Sequence, residues 1–424
     1  MTTCTGLTYY LRLGTMADTS VVLHEVGDLL RVSIEKMAHG GHAIARLNGA
    51  VIFVRGAIPG ELVEVRITRR EKSLYHAETV AVIEASADRI QPSCKYAADA
   101  LCGGCDFQHI TYQRTLALKS EVIAEQFARI AKMEVDVTVE EVSSPRHWRT
   151  RFGATTNSNG VAGFNSDSSR NVTSITSCEV LIPEIDFPTI ADLDCGPSQR
   201  IDVAISTNGA RSVSISAARE SRSERRQTPK VIEGSPHLIY EVSNYKYRVS
   251  NGSFWQSNIN APEVLVKNVM ESIAPQKGEH ILDLYGGVGL FTLPLAAAVG
   301  VGGRVELIEA SASACDDART NTSEYPQVKV HCADVAKAMK SLKKADVILL
   351  DPPRSGAGRD VIASSIKLAP RAIVYVACDP AALARDTTYL RDGGYHLVDI
   401  KAFDLFPQTH HIECIAIYAA DKVS

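Results

Sequence analysis

Cys378 stands in the run Val374-Tyr375-Val376-Ala377-Cys378-Asp379-Pro380, where a β-branched stretch meets an Asp-Pro pair of the kind that opens a helix. A helix N-terminus behind a thiol favours the thiolate, so this cysteine could act as a nucleophile. Its plainer reading is small apolar filler. Glu413, in Thr409-His410-His411-Ile412-Glu413-Cys414, could serve as a base or be an edge glutamate. The two histidines invite a metal reading, yet no third ligand follows at metal-like spacing. Asp351-Pro352-Pro353-Arg354 ends a strand-like run, and its prolines stiffen the chain that aims Asp351 and Arg354. Pro-Pro loops of amino-group methyltransferases end in an aromatic residue that stacks on the target; arginine here weighs against that chemistry.

Leu282-Asp283-Leu284-Tyr285-Gly286-Gly287-Val288-Gly289 is a strand opening into a glycine turn and a helix, a cradle for a nucleotide-like cofactor. The Gly-Lys-Ser/Thr of a phosphate-binding loop is missing. Glu309 ends the following strand, where a carboxylate can accept from both hydroxyls of a ribose. Cys94, Cys102 and Cys105, with Cys178 far along the chain, read as an iron–sulfur or zinc site, or as four unrelated thiols.

These residues need elements to hold them. From Pro262 onward, strand-like runs at Ile281–Leu284, Arg304–Ile308, Val328–His331, Asp346–Leu350 and Ala372–Val376 alternate with segments of helical length, which implies a parallel sheet. His396–Ile400 and Ile412–Tyr418 are too close for a crossover helix and should form an antiparallel edge pair. The result is an α/β class I methyltransferase fold with a seven-stranded sheet. Upstream, Leu30–Ile34, Ala50–Val54, Glu61–Ile67 and His76–Ile83 are separated by Gly40-Gly41, Asn48-Gly49 and Pro59-Gly60, as in a small OB-type barrel. Leu116, Ile123, Phe127 and Ile130 mark one face of a helix, and residues 146–250 read as β-rich with polar loops at Asn157–Gly160 and Ser166–Asn171. Arg219–Lys230 reads as an exposed charged loop. The expected organisation is a leader over residues 1–24, a barrel over 25–88, a central RNA-binding region with the cysteines over 89–255, and the methyltransferase domain over 256–424.

The chain has 424 residues, ten cysteines and a formal net charge of −4. The total does not point to nucleic acid, but between Arg31 and His76 eight basic residues face four acidic ones. Leu290–Val301 is too short and too rich in alanine and glycine to span a bilayer. No secretory core precedes Met16, and the residues before it read as a disordered leader or as preceding the true start. The expectation is a cytoplasmic monomer whose cysteines serve metal or catalysis rather than disulfides.

Five stretches in order resemble the bacterial RNA (uracil-5-)-methyltransferase family: Ser253-Phe254-Trp255-Gln256-Ser257-Asn258, the Asp283–Gly289 loop, Asp351–Gly356, the Cys378 segment, and Phe403-Asp404-Leu405-Phe406-Pro407 through Glu413. The resemblance runs from about residue 29 to the C-terminus, and the barrel is similar to the TRAM domain of such enzymes. It implies that Cys378 adds to carbon 6 of a uracil and Glu413 removes the carbon 5 proton. It places S-adenosylmethionine among Gln256, Tyr285, Gly287, Leu290, Glu309, Asp334 and Asp351; asparagine is usual in some relatives at the positions of Leu290 and Asp334. Cys94, Cys102, Cys105 and Cys178 would hold a [4Fe-4S] cluster in preference to zinc. A cysteine often stands where this chain has Gly286, and its loss should cost little. The implied substrate is a structured RNA, 23S rRNA ahead of tRNA. The rivals are a non-catalytic RNA-binding assembly factor, against which Cys378, Glu413 and Gln256 speak, and an RNA N-methyltransferase, which would leave Cys378 and Glu413 without work.

Overall fold

The structure is a computed structural model describing residues 24–72, 74–98, 101–166, 171–218 and 229–420. The expected leader, nearly all of the charged run 219–230 and the interior of the loop Ser166–Asn171 lie outside the described residues. The chain divides into two compact units, one running to Lys36 and resuming over Ala43–Ala85, the other comprising Met37–His42 and the chain from Ser86 onward.

The first unit is a closed five-stranded barrel of β1 (Leu29–Met37), β2 (Ala43–Leu47), β3 (Ala50–Arg55), β4 (Leu62–Glu71) and β5 (Leu74–Glu84), in the order β1-β2-β3-β5-β4 with β1 pairing back to β4. Alternate residues fill it: Val32 and Ile34, Ile52 and Val54, Val63, Val65 and Ile67 are buried while their neighbours face outward. Closure removes the free edges. Asn48 and Gly49 both have positive φ and join β2 to β3 through a two-residue turn of the type that matches strand twist. Sequence reading misses β2, because Ala43-Ile44-Ala45-Arg46 carries little β-branched signal between two glycine turns.

In the second unit, β6 (Val139–Glu141) precedes a six-stranded sheet made of β7 (Arg151–Thr156), β8 (Ala162–Asn165), β9 (Val172–Ser174), β10 (Gln199–Ile205), β11 (Arg211–Ala217) and β12 (Lys230–Glu233), ordered β12-β11-β10-β7-β8-β9. A hairpin of β13 (His237–Val242) and β14 (Tyr245–Ser250) follows. Its Tyr240 and Tyr247 pack on Trp255, and the Tyr247 hydroxyl donates to the Leu290 carbonyl at 2.9 Å, which joins the hairpin to the glycine loop.

The large sheet contains β15 (His280–Leu284), β16 (Arg304–Glu309), β17 (Val328–Cys332), β18 (Val347–Leu350), β19 (Ala372–Ala377), β20 (Tyr395–Asp404) and β21 (Glu413–Ala420). Strands β15 to β19 are parallel to one another, while β21 runs antiparallel to both β19 and β20. Every residue of β18 and β19 is buried, as expected of parallel strands covered on both faces. The order is β17-β16-β15-β18-β19-β21-β20-β6, so the sheet has eight strands where seven are expected. The eighth is β6, pairing Val139–Glu141 in parallel with Ala402–Asp404. Three residues with adjacent glutamates carry no strand periodicity, and only the open edge of β20 makes them one. The helix Tyr112–Gln126 continues as a π-turn through Phe127–Ala131, burying Leu116, Ile123 and Phe127 as its apolar spacing predicts. It is pinned by the Arg391 guanidinium, which donates to the Ala131 carbonyl at 2.7 Å. No helix among the described residues is long and apolar enough to cross a membrane.

Candidate active site

The parallel strands end on a group of carboxylates. Asp283, in β15, is fully buried; one oxygen accepts from the Thr292 hydroxyl at 2.5 Å and the other has no partner among the described residues. Asp351 follows β18 and donates its N–H to the Leu284 carbonyl at 3.2 Å. Burial pushes both carboxyls up to about 7, and the closeness of Asp283, Glu309 and Asp351 to one another adds to the shift. Glu309 accepts from the N–H groups of Gly287 at 3.2 Å and Ser311 at 2.6 Å. The glycine loop thereby curls over the end of β16. Tyr285 adopts φ 64° there and Gly287 φ 55°. A Cβ at Gly286 would lie 2.6 Å from Leu307 Cγ and 3.1 Å from the Asp283 carboxyl carbon, so a cysteine in its place requires Leu307 to shift.

The nucleophile and base candidates sit on the next strands. The ladder joining β19 to β21 pairs Ala377 with Cys414, and the same register carried one residue further sets Cys378 beside Glu413. Directly opposed residues of an antiparallel pair project to the same face. Glu413 is 4% exposed, and burial with Asp351 nearby raises its carboxyl well above the usual range. Asp379 caps the helix Pro380–Asp392 by accepting from the Ala382 N–H at 2.8 Å. The helix N-terminus nevertheless does not leave a free thiolate. Burial, then Glu413 and Asp351, push the Cys378 thiol up to about 12, with Arg354 opposing. The helix end behind the thiol, which favours the thiolate, is opposed by desolvation and by these carboxylates.

The residue-profile comparison matches residues 235–420 to the tRNA (Uracil-5-)-methyltransferase family and residues 24–79 to the TRAM domain. An uncharacterized RNA methyltransferase of Streptomyces avermitilis is 37% identical over 92% of this chain and 98% of its own. A 23S rRNA (uracil(1939)-C(5))-methyltransferase of Shewanella piezotolerans is 31% identical over 94% of this chain and 97% of its own. The chain belongs to the RNA (uracil-5-)-methyltransferase family. Its fold is similar to that of a tRNA (uracil-54, C5)-methyltransferase of Pyrococcus abyssi, with a TM-score of 0.69 and 24% identity over 92% of this chain and 99% of that one.

In this methyltransferase the other candidate residues are placed unevenly. Asp334 is exposed and caps the short helix Val335–Ala338 by accepting from the Lys337 N–H at 3.0 Å, near enough to Tyr285 to help raise its phenol. Leu290 is buried in the core with its carbonyl taken by Tyr247. Gln256 is 6% exposed and lines a cavity of about 210 Å³ with Tyr240, Trp255 and Pro262, which none of the sheet-edge carboxylates lines. Its neighbour Asn258 donates to the Leu405 carbonyl at 3.0 Å, so the Ser253–Asn258 segment is tied to the loop before Glu413.

Cys94, Cys102, Cys105 and Cys178 all line one cavity of about 260 Å³, together with Arg149. Burial raises the Cys105 thiol to about 12 and the Cys178 thiol to about 11, and neighbouring thiols of the set contribute to both. Among the described residues, no group of three histidine, cysteine or acidic side chains is set at metal-holding distance.

Sequence reading misses several residues that hold the site. Lys119 and Asp404 form a buried ion pair at 2.7 Å, and the same ammonium donates to the Phe406 carbonyl at 3.4 Å, anchoring the loop that leads to Glu413. A lysine between Leu118 and the apolar Val122-Ile123 pair is the one sequence signal of a buried charge.

Proposed function

We propose that this methyltransferase transfers a methyl group from S-adenosylmethionine to carbon 5 of one uridine in 23S rRNA, through a covalent adduct between Cys378 and carbon 6. The observation that carries the reading is the β19–β21 register that sets Cys378 beside Glu413. Carbon 5 of uracil is a poor nucleophile until a thiolate adds to carbon 6 and moves the ring's π electrons toward carbon 5 and the carbon 4 oxygen. After carbon 5 takes the methyl group, its proton must leave so that the double bond re-forms and the cysteine is expelled. Glu413, buried and starting its strand, is the base for that step.

Bound S-adenosylmethionine supplies the methyl group on a cationic sulfur. The chain offers that cation a fitting seat: Asp283 has a buried oxygen with no partner among the described residues, and Asp351 and Glu309 stand close by. Tyr285, Gly287, Asp334 and Gln256 complete the set of binding residues, with Leu290 contributing through backbone alone. Cys94, Cys102, Cys105 and Cys178 would hold a [4Fe-4S] cluster, whose part is to shape the loops that meet RNA. Convergence of four thiols on one cavity supports that assignment.

Large-subunit RNA is favoured because relatives bearing that substrate in their names align over nearly their whole length. Basic residues of the barrel such as the exposed Arg66 and Arg69 would supply phosphate contacts, and the target base leaves its stack to reach Cys378. The test is incubation with methyl-labelled S-adenosylmethionine and either 23S rRNA fragments or tRNA, followed by nucleoside analysis. Label in 5-methyluridine from 23S rRNA is the expected result. Label in tRNA alone overturns the substrate, and label on a base nitrogen overturns the reaction. Anaerobically purified protein should be brown, with iron and sulfide; a colourless preparation with stoichiometric zinc rejects the cluster.

A further inference from the structure

Beside burial, Glu413, Asp351 and Asp379 act to raise the Cys378 thiol and Arg354 acts to lower it, while Asp379 is itself paired with His39 at 3.1 Å. A thiol so placed becomes nucleophilic only where positive charge is held against the sulfur. Arg354 leaves the sheet through Pro352-Pro353, and its Nη2 lies 3.0 Å from Nε2 of His411. A guanidinium only donates, so that ring nitrogen accepts and the imidazole is neutral. Burial and the neighbouring His410 and Arg354 keep it so, pushing His411 down to about 3.

His411 does not stand alone. Its ring lies 4.1 Å from that of His410, centroid to centroid. The His410 N–H donates to Asp106 Oδ2 at 3.1 Å, and His410 Nδ1 lies 2.7 Å from the same oxygen. The backbone N–H groups of Asp106 and Phe107 both donate to the carbonyl of Gln408, at 2.8 and 3.1 Å, where the loop turns through φ 68°. Asp106 directly follows Cys105. A continuous set of contacts therefore runs from the cysteine loop to the Arg354 guanidinium.

We propose that Arg354 is the cation that holds the Cys378 sulfur ready for attack on carbon 6, and that Asp106, His410 and His411 are positioning residues that aim it from the cysteine loop. This rests on the reaction assigned above. In the attack the S–H proton passes to solvent, the sulfur lone pair forms the bond to carbon 6, and the ring π pair moves toward the carbon 4 oxygen. Arg354 gives up no proton and lends only charge. The cysteine loop thus has a part in the chemistry that requires no electron transfer through it.

The test is peptide-resolved alkylation of the full chain with iodoacetamide across pH, without RNA or S-adenosylmethionine. Cys378 is partly exposed and reachable, and exposed Cys332 serves as the internal control. Arg354→Gln should slow Cys378 alkylation about tenfold at pH 8 and move its pH profile upward by about one unit. Arg354→Lys should restore part of the rate, while His411→Asn and Asp106→Ala should shift the profile the same way by less. Should Arg354→Gln fail to fold, Arg354→Lys and His411→Asn carry the same test. An unmoved profile in the arginine and histidine variants, with Cys332 reacting normally, overturns the role of Arg354. A shift in Arg354→Gln with none in Asp106→Ala overturns the link to the cysteine loop. A Cys378→Ala enzyme that still turns over sinks the reaction itself, whereas an inactive one with an unmoved alkylation profile in the other variants sinks only this inference.

Discussion

Two groups of cysteines in this methyltransferase share one physical state and differ in every neighbour. Desolvation is the largest influence raising the thiols of Cys378 and of the cavity cysteines Cys105 and Cys178 alike. Around Cys378 the next influences are carboxylates and one guanidinium, all borne by strand ends or Pro-Pro-stiffened loop. Around Cys105 the next influence is a hydrogen bond from Gln108 and around Cys178 one from the Val180 N–H, with other thiols of the set following, and the cysteines are borne by irregular chain. Burial therefore says nothing about which thiol is a nucleophile and which a ligand. The distinction lies in what faces the sulfur and how rigidly its backbone is held: a reacting sulfur needs a base and a cation at set positions, a ligand set needs its like.

The comparison breaks most decisively at the nucleophile. Cys378→Ala should lower methyl transfer by on the order of 10³-fold or more while S-adenosylmethionine affinity, read by calorimetry, changes little. Substantial turnover in that variant would make Cys378 no different from the cavity thiols. Glu413→Gln should reduce turnover by roughly 10²- to 10⁴-fold and leave a methylated protein–RNA adduct, visible as a slow band on a denaturing gel. Loss of activity with no adduct would move the role of Glu413 to an earlier step.

The sheet-edge carboxylates carry a pH signature that the cysteine cavity should lack. Asp283 and Asp351 lie ordinarily near 3.8 and stand at about 7 in the folded chain. A folded value above the unfolded one means that their contribution is complete below pH 3.8 and disappears as pH rises through about 7. Relative to Asp351→Asn, the free protein should lose on the order of 2–4 kcal/mol between pH 4 and pH 8. Cationic S-adenosylmethionine should remove most of that loss. Denaturant titrations at several pH values check this, and parallel curves for the two proteins would count against it. Cys178→Ala, by contrast, should empty the cavity of any iron or zinc while lowering turnover by less than about tenfold, because no step passes through it. The smallest effect belongs to the barrel. Arg66→Ala or Arg69→Ala, both exposed on β4, should weaken RNA binding a few-fold and flatten its salt slope by about one unit, with cofactor affinity unchanged.

Much of this was legible without coordinates because regular elements repeat. The five parallel strands, the antiparallel pair that follows them and four of the five barrel strands announce themselves by β-branched runs between glycine turns, since periodicity is a local property of the chain. Val139–Glu141 was not legible, because its strand character comes from the edge of β20, more than 250 residues away. The surroundings of Cys378 are not legible for the same reason. The helix end behind it is adjacent in sequence, but the carboxylates that outweigh it arrive from β18 and β21.

By itself the sequence determined which residues could react: a cysteine at a strand end, a glutamate opening the last strand, a glycine loop with an acidic residue after the next strand, and four cysteines to spare. It determined these because side-chain chemistry and strand spacing are written residue by residue. Only the tertiary structure decided that Cys378, just past the end of β19, comes near Glu413 at the start of β21, that burial raises the carboxyls of Asp283 and Asp351, that Lys119 and Asp404 form a buried ion pair, and that Asp106 beside Cys105 reaches His410, next to His411. Each of these is a contact between segments far apart along the chain, and both desolvation and Coulomb interaction depend on distance in space.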